Sequence, residues 1–174
     1  GKGVPASLFM AITRSLFRPL SQHVRSPAKI VTEMNNSISD NNESNMFVTL
    51  IVGILDLETG ILKLCNAGHN PPILIYPDGQ VSYLEFKTQI FVGVVEDFKY
   101  SDEEVVLEKE SKLFLYTDGV TEAENINKEL YGEEKLLEML SDNASSDVRT
   151  TVNVVVDSIA SHVKEAEASD DLTI

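Results

Sequence analysis

Apolar residues in the first forty positions recur at helical spacing. Within residues 4–20, an apolar side chain returns at every fourth position: Leu8, Ile12, Leu16 and Leu20. This spacing places these side chains on one face of a helix. Ser26 and Pro27 precede a second apolar stripe that continues to Ile38. Serine at a cap followed by proline is typical of a helix start. The pattern therefore predicts two amphipathic helices, which the polar residues 39–44 bring to an end.

The middle of the chain changes to short, β-branched apolar runs separated by turn residues. These runs predict strands at residues 46–57, 61–68, 73–76, 81–86 and 112–118. Tight turns at residues 58–60 and 77–80 join neighbouring strands, so antiparallel sheets are favoured. Helices near residues 132–141 and 148–163 and a short last strand at 170–174 follow. The chain is predicted to be a single α+β domain with helices layered on sheets.

Composition excludes several classes of protein. The single cysteine, Cys65, allows no internal disulfide and fits a reducing, cytoplasmic location. No apolar run approaches the roughly 20 residues that cross a bilayer, and the start does not resemble a signal peptide. The net charge of −14 argues against nucleic acid as a partner, because phosphates would be repelled.

Carboxylates next to predicted strands are the strongest candidates for chemistry. Asp118 ends one strand, and Asp170 and Asp171 open the last one. Converging carboxylates would suit Mg²⁺ or Mn²⁺, which prefer oxygen ligands. An Asp-Gly pair is also a common turn, and spacing alone leaves both interpretations open. A nucleophilic hydrolase finds little support, because the sequence has no G-x-S-x-G elbow and Cys65 lies in a predicted strand.

Four segments occur in a fixed order along the chain. They are GKGVPASLFMA (1–11), NAGHNPP (66–72), FLYTDGVTEAEN (114–125) and SDDLTI (169–174). Together they resemble the SpoIIE/RsbU-type branch of the metal-dependent serine/threonine protein phosphatases, the PPM family. The resemblance implies an α-β-β-α sandwich of two antiparallel sheets flanked by helices, with a binuclear Mg²⁺ or Mn²⁺ centre. It also implies hydrolysis of phosphoserine or phosphothreonine on a partner protein, such as an anti-sigma factor antagonist in bacterial partner-switching.

The resemblance assigns roles to individual residues. Asp118 matches the metal-binding aspartate of the family's T/S-D-G motif, and Asp170 matches the first acid of its D-D/N-x-T motif. Asp171 would support the site, and Gly119 would let the backbone turn away from the metal. His69, in the A-G-H loop, is expected to be a structural loop residue. No catalytic side chain is assigned, because a water activated by two metal ions needs no protein nucleophile.

The chain departs from the family pattern at its start. The family places another aspartate three residues before the glycine that opens G-K-G, and here that glycine is Gly1. The chain is therefore expected to be the C-terminal three quarters of a catalytic domain, N-terminally truncated, binding metal weakly and inactive by itself. An uncovered sheet edge would favour a homodimer. The alternatives are a non-catalytic regulatory module of the same fold and an unrelated acidic binding domain. The retained Asp118 and Asp170 favour the enzyme.

Overall fold

The computed structural model describes residues 3–40, 42, 45–164, 166 and 171–174. In chain order the elements are α1 (Val4–His23), α2 (Pro27–Ser39), β1 (Leu50–Leu55), β2 (Ile61–Ala67), β3 (Ile73–Ile75), β4 (Val81–Tyr83), β5 (Thr88–Gln89), β6 (Glu103–Val106), β7 (Lys112–Phe114), α3 (Asp118–Thr121), α4 (Glu133–Asp142) and α5 (Val148–Val163). They form two compact units, the first made of Gly1–His69 with Phe86–Leu107 and the second of Asn70–Glu85 with Glu108–Ile174. Each unit contains its own sheet and its own helices.

The start of α2 follows the predicted capping pattern. The Ser26 hydroxyl oxygen accepts the N–H of Lys29 at 3.1 Å, and Pro27 occupies the first helical position. Asp102 reinforces this helix end, because its carboxylate accepts the Ser26 hydroxyl at 2.7 Å and the N–H of Ala28. N–H groups that a helix leaves unpaired at its start are thereby satisfied.

The first helix is longer than predicted. It continues through Pro19 to His23 instead of ending near residue 20. Proline lacks the N–H that an interior helical position donates, so one hydrogen bond is lost. Leu20 and Val24 pack against the core of the first unit, and their burial offsets that loss. Packing therefore decides where this helix ends.

The sheet of the first unit is built around β2. β1 and β6 pair with β2 in antiparallel orientation, and β5 runs parallel to its last two residues. In the turn between β1 and β2, the Asp56 carboxylate accepts the N–H groups of Thr59 and Glu58, which hold the pKa of Asp56 below its usual value. The predicted hairpin is confirmed. β5 and β6 were not predicted, because β5 is very short and β6 is a charged edge strand.

Helix α2 covers this sheet with its predicted apolar stripe. The stripe is buried and consists of Ile30, Val31, Met34 and Ile38. It packs against Val52 and Ala67 of the sheet. Asn35 lies within this apolar layer with no exposed surface. Its Nδ2 donates to the Val95 carbonyl at 2.8 Å, and its Oδ1 accepts the N–H of Gly93 at 2.9 Å. A side-chain amide thus supplies the hydrogen bonds that this loop lacks from a strand partner.

The second unit also packs helices on a sheet built around one central strand. β3 is the central strand, paired in antiparallel orientation with β4 on one side and β7 on the other. The core between this sheet and the helices includes Ile73, Ile75, Phe114, Val120, Leu136, Leu140, Val155 and Ile159. Asp147 caps α5 by accepting the N–H of Thr150 at 3.0 Å. The predicted α4 and α5 are confirmed to within one residue at each end.

The strands predicted at 46–57 and 81–86 are shorter in the structure, as β1 and β4, and two other predicted strand segments change in type. The strand expected over residues 112–118 ends at Phe114, and Asp118 instead begins the single helical turn α3. Residues 171–174, expected to be a strand, have no regular secondary structure. Val120 explains the change at Asp118, because the helical turn carries it into the core, where it is fully buried.

The predicted α+β class is confirmed, since each unit packs helices on a mainly antiparallel sheet. That the chain is a single domain stays a prediction. Among the described residues, no helix is both long enough and apolar enough to cross a membrane.

Replacement of Asn35 by leucine should destabilise the protein by about 3 kcal/mol. The change leaves the buried Gly93 N–H and the partly buried Val95 carbonyl without these partners. An unpaired buried group costs about 1–3 kcal/mol, and added apolar burial offsets part of the loss. Urea unfolding would measure the loss. Asn36→Leu, at the exposed neighbouring position of the same helix, should change stability by less than about 0.5 kcal/mol. Equal effects of the two variants would contradict the role given to Asn35.

Candidate metal centre

Asp118 occupies the first position of α3 with its carboxylate exposed to solvent. Its Oδ1 accepts the N–H of Gly119 at 3.0 Å. The turn is closed by a hydrogen bond from the N–H of Glu122 to the Asp118 carbonyl at 2.8 Å, and it is anchored by the buried Val120. A carboxylate is therefore presented to solvent from a backbone that the core holds in place.

The last described residues lie directly against this turn. The N–H of Thr117 donates to the Thr173 carbonyl at 3.1 Å, and the N–H of Thr173 donates to the Thr117 hydroxyl oxygen at 3.3 Å. The Asp171 carbonyl oxygen lies over Gly119. Thr117 pairs with Thr173, and Gly119, two residues later, lies against Asp171, two residues earlier. The two segments therefore run antiparallel.

Gly119 is required for a reason that the sequence did not predict. It was expected to let the backbone turn away from a metal, but its backbone is helical and needs no special freedom. A Cβ at this position would collide with the backbone carbonyl of Asp171. Glycine is present because two stretches of backbone approach each other closely.

The predicted ligands are only partly within the described chain. Asp118 and Asp171 are both exposed carboxylates on neighbouring segments of the second unit. Asp170 lies outside the described residues. Nowhere in the described ranges do three or more His, Cys, Asp or Glu residues gather in a group that could hold a metal ion. The donors present fit a hard divalent cation by type, because Mg²⁺ takes one or two carboxylates and keeps several waters.

His69 lies in the first unit, in a loop fixed by asparagine. The side chain of Asn66 accepts the N–H of His69 at 2.8 Å and donates to its carbonyl at 2.9 Å. The imidazole Nδ1 lies 3.2 Å from the Thr49 hydroxyl. Gly68 has a φ of 77°, and the Phe91 ring fills the place of its missing side chain. These contacts hold the backbone of the loop in place, and the structural role expected of His69 stays a prediction.

Cys65 can be set aside as a nucleophile. It lies in β2 with 1% of its surface exposed. Burial, with a smaller contribution from the charge of Asp102, raises the pKa of its thiol to about 12. The thiolate, which is the reactive form, is therefore hardly populated at neutral pH. This agrees with the expectation that Cys65 packs as a small apolar side chain.

Comparison with known families assigns the chain. The family model for Stage II sporulation protein E (SpoIIE) matches residues 1–174, the whole length. The chain belongs to the SpoIIE family. It is 25% identical over 175 residues to the phosphoserine phosphatase RsbU of Bacillus subtilis, covering 100% of this chain and 51% of RsbU. The curated relatives are longer, since the chain spans between 31% and 51% of IcfG, RsbP and RsbU.

Solved structures show that this member of the SpoIIE family has the fold of PP2C phosphatase domains. The SiaA-PP2C domain of Pseudomonas aeruginosa matches with a TM-score of 0.85 at 21% identity, over 99% of this chain and 69% of that chain. A structure of RsbX in complex with magnesium matches with a TM-score of 0.65 at 17% identity, over 99% and 73% of the two chains. The predicted phosphatase-type fold is confirmed.

Sequence reasoning missed polar residues that lie inside the family motifs themselves. Tyr116, two positions before Asp118, is 3% exposed, and its hydroxyl has no hydrogen-bond partner among the described residues. Burial raises the pKa of this hydroxyl; among its neighbours, Tyr83 lowers it, the charge of Glu133 raises it and Asn70 lowers it. Asn70 belongs to the NAGHNPP segment, so a residue of one motif influences the pKa of a tyrosine in another, within the second unit. The only sign in the sequence that points to Tyr116 and Asn70 is that both lie within these motifs.

Gly119→Ala should destabilise the protein by about 1–3 kcal/mol, the usual cost of forcing extra atoms into a packed site. The direction of the stability change is informative, because replacing glycine by alanine at a helical position would otherwise stabilise the protein by about 1 kcal/mol. Thermal and urea unfolding would measure it. Gly53→Ala is the control, since a Cβ there would meet Leu62 at an ordinary 3.4 Å. A stabilised Gly119→Ala variant would show that residue 171 does not lie where the structure places it.

Tyr116→Phe should leave stability unchanged or slightly raised, because it removes a buried hydroxyl that makes no hydrogen bond among the described residues. Tyr131→Phe is the matched variant. Tyr131 is also 3% exposed, but its hydroxyl donates to the Ser158 hydroxyl oxygen at 2.9 Å. Its loss should cost about 1 kcal/mol. Urea unfolding of both variants tests the contrast, and a larger loss for Tyr116→Phe would reveal a partner for that hydroxyl.

Proposed function

We propose that this protein is a metal-dependent phosphatase that removes phosphate from phosphoserine on a regulatory protein. The observation that carries the proposal is the Asp118 turn, with the acidic segment at Asp171 laid against it in a SpoIIE-family chain. Similarity to the phosphoserine phosphatases RsbU and RsbP supports it. Because the chain spans at most about half of these relatives, the activity is proposed for the whole protein.

The roles proposed for the residues follow from their chemistry. Asp118 and Asp170 would each place a carboxylate oxygen on a divalent cation, Mg²⁺ or Mn²⁺, in a binuclear site. Bound divalent cations would lower the pKa of a coordinated water and neutralise the oxygens of the phosphate. Asp171 would support the site through its position beside Gly119. His69 would keep its loop in shape, through its contacts with Asn66 and Thr49.

The partner we propose is a phosphoserine protein of the anti-sigma factor antagonist type, in bacterial partner-switching. The relative RsbU, a phosphoserine phosphatase, supports this substrate class. A net charge of −14 does not favour nucleic acid. We also propose self-association and a cytoplasmic location. The first is supported by the exposed Val4, Leu8 and Ile12 on α1, which are 72%, 60% and 52% exposed. The second is supported by Cys65, which is buried and in no disulfide.

Asp118→Asn in the full-length protein should lower Mn²⁺-dependent phosphate release from a phosphoserine protein by at least about 100-fold. The amide keeps the shape of the side chain but removes the charge that would bind the cation, and metal assistance is worth several kcal/mol. Colorimetric phosphate assays with and without EDTA would measure the rate.

Asp157→Asn, at an exposed position of α5, is the matched control and should retain full activity. A wild-type protein that releases no phosphate with either cation would refute the enzyme and favour a non-catalytic module of the same fold. A fully active Asp118→Asn variant would instead remove Asp118 from the metal site.

A further inference from the structure

We propose that Thr117 is a positioning residue, which holds the C-terminal segment in register beside the turn that presents Asp118. Its hydroxyl oxygen accepts the N–H of Thr173 at 3.3 Å, and its own N–H donates to the Thr173 carbonyl at 3.1 Å. One residue thus contributes both hydrogen bonds of a two-point contact between segments 56 positions apart.

The side chain of Thr117 bonds to Thr173 instead of capping the start of α3. Thr117 is the cap residue of α3, where threonine commonly accepts an N–H of the first turn. Among the described residues its side chain makes no such cap bond. The first turn is closed through the backbone, by the N–H of Val120 donating to the Thr117 carbonyl at 3.0 Å. The hydroxyl oxygen is therefore available to the crossing segment.

The register set by Thr117 matters because the segment 171–174 passes very close to the turn at Gly119. At Gly119 the Asp171 carbonyl lies so close that even one methyl group would collide with it. Beyond it, Ile174 packs against the core of the second unit. Between these points, the Thr117–Thr173 hydrogen bonds fix how far the segment slides along the turn. A slide would move Asp171 relative to the Asp118 carboxylate.

This inference rests on the proposed function for its consequence, since the segment that Thr117 contacts begins at Asp171, the residue proposed to support the metal site. The exposed carboxylates of Asp118 and Asp171 fit a hard divalent cation by type. Loss of the hydrogen bond from Thr173 to the Thr117 hydroxyl should weaken cation binding without removing a ligand. Carboxylates must be held in their binding geometry, because residues that orient ligands affect metal affinity about 10- to 100-fold.

Thr117→Val tests the role, because valine keeps the β-branched shape and removes the acceptor oxygen. In metal-free full-length protein, hydrogen exchange at the Thr173 amide should accelerate about fivefold, the equivalent of one ordinary hydrogen bond. Mn²⁺ affinity measured by calorimetry should fall about tenfold. Thr117→Ser restores the hydroxyl and should return both quantities close to their wild-type values.

Thr151→Val is the matched control in the same unit. Its hydroxyl donates to the Asp147 carbonyl at 3.0 Å, which the helix backbone also bonds, so Thr173 exchange and Mn²⁺ affinity should not change. Wild-type exchange or wild-type affinity in Thr117→Val would overturn the proposal. Equal acceleration at the core amide of Leu136 would also overturn it, because the effect would then be global. If the wild type releases no phosphate, the proposed function fails, while exchange and Mn²⁺ affinity still decide the role of Thr117.

Discussion

A close backbone contact in the second unit is the constraint on which the candidate site depends. The Asp171 carbonyl lies over Gly119, at a distance that no side chain at this position would allow. Both partners of the contact are tied to one core, the turn through Val120 and the end of the chain through Ile174. Since packed cores do not deform continuously, this contact presents Asp118 from a defined place.

Asparagine side chains perform the corresponding task in the first unit. Asn35 pairs with the Gly93 N–H and the Val95 carbonyl, and Asn66 pairs with both backbone groups of His69. Amides carry a donor and an acceptor, so each can satisfy two loop groups that no strand reaches. A backbone group that is shielded from water, such as the buried Gly93 N–H, would otherwise be unpaired at a high cost in free energy. Polar residues inside the apolar layer thus determine the shape of the loops, and apolar residues supply the stability.

Much of the architecture was predictable because it follows local rules. The stripe on α2, the Ser26 cap, the β1–β2 hairpin and the bounds of α5 depend on residues close together in the chain. The helical turn at Asp118 was not predictable in this way, because burial of Val120 overrides the strand-like residues before it. β6 also lacks a local pattern, since a charged edge strand such as Glu103–Val106 forms only when β2 is present to pair with it.

The sequence by itself determined the family, the class of fold and the candidate acids, because four short motifs in a fixed order carry the resemblance. Asp118, Gly119 and Asp171 were all identified from those motifs. Only the tertiary structure shows why position 119 is glycine and which segment Thr117 contacts. Both act on Asp171 and Thr173, more than 50 positions away in the chain. Such contacts arise when distant segments share a core, and no local pattern of residues encodes them.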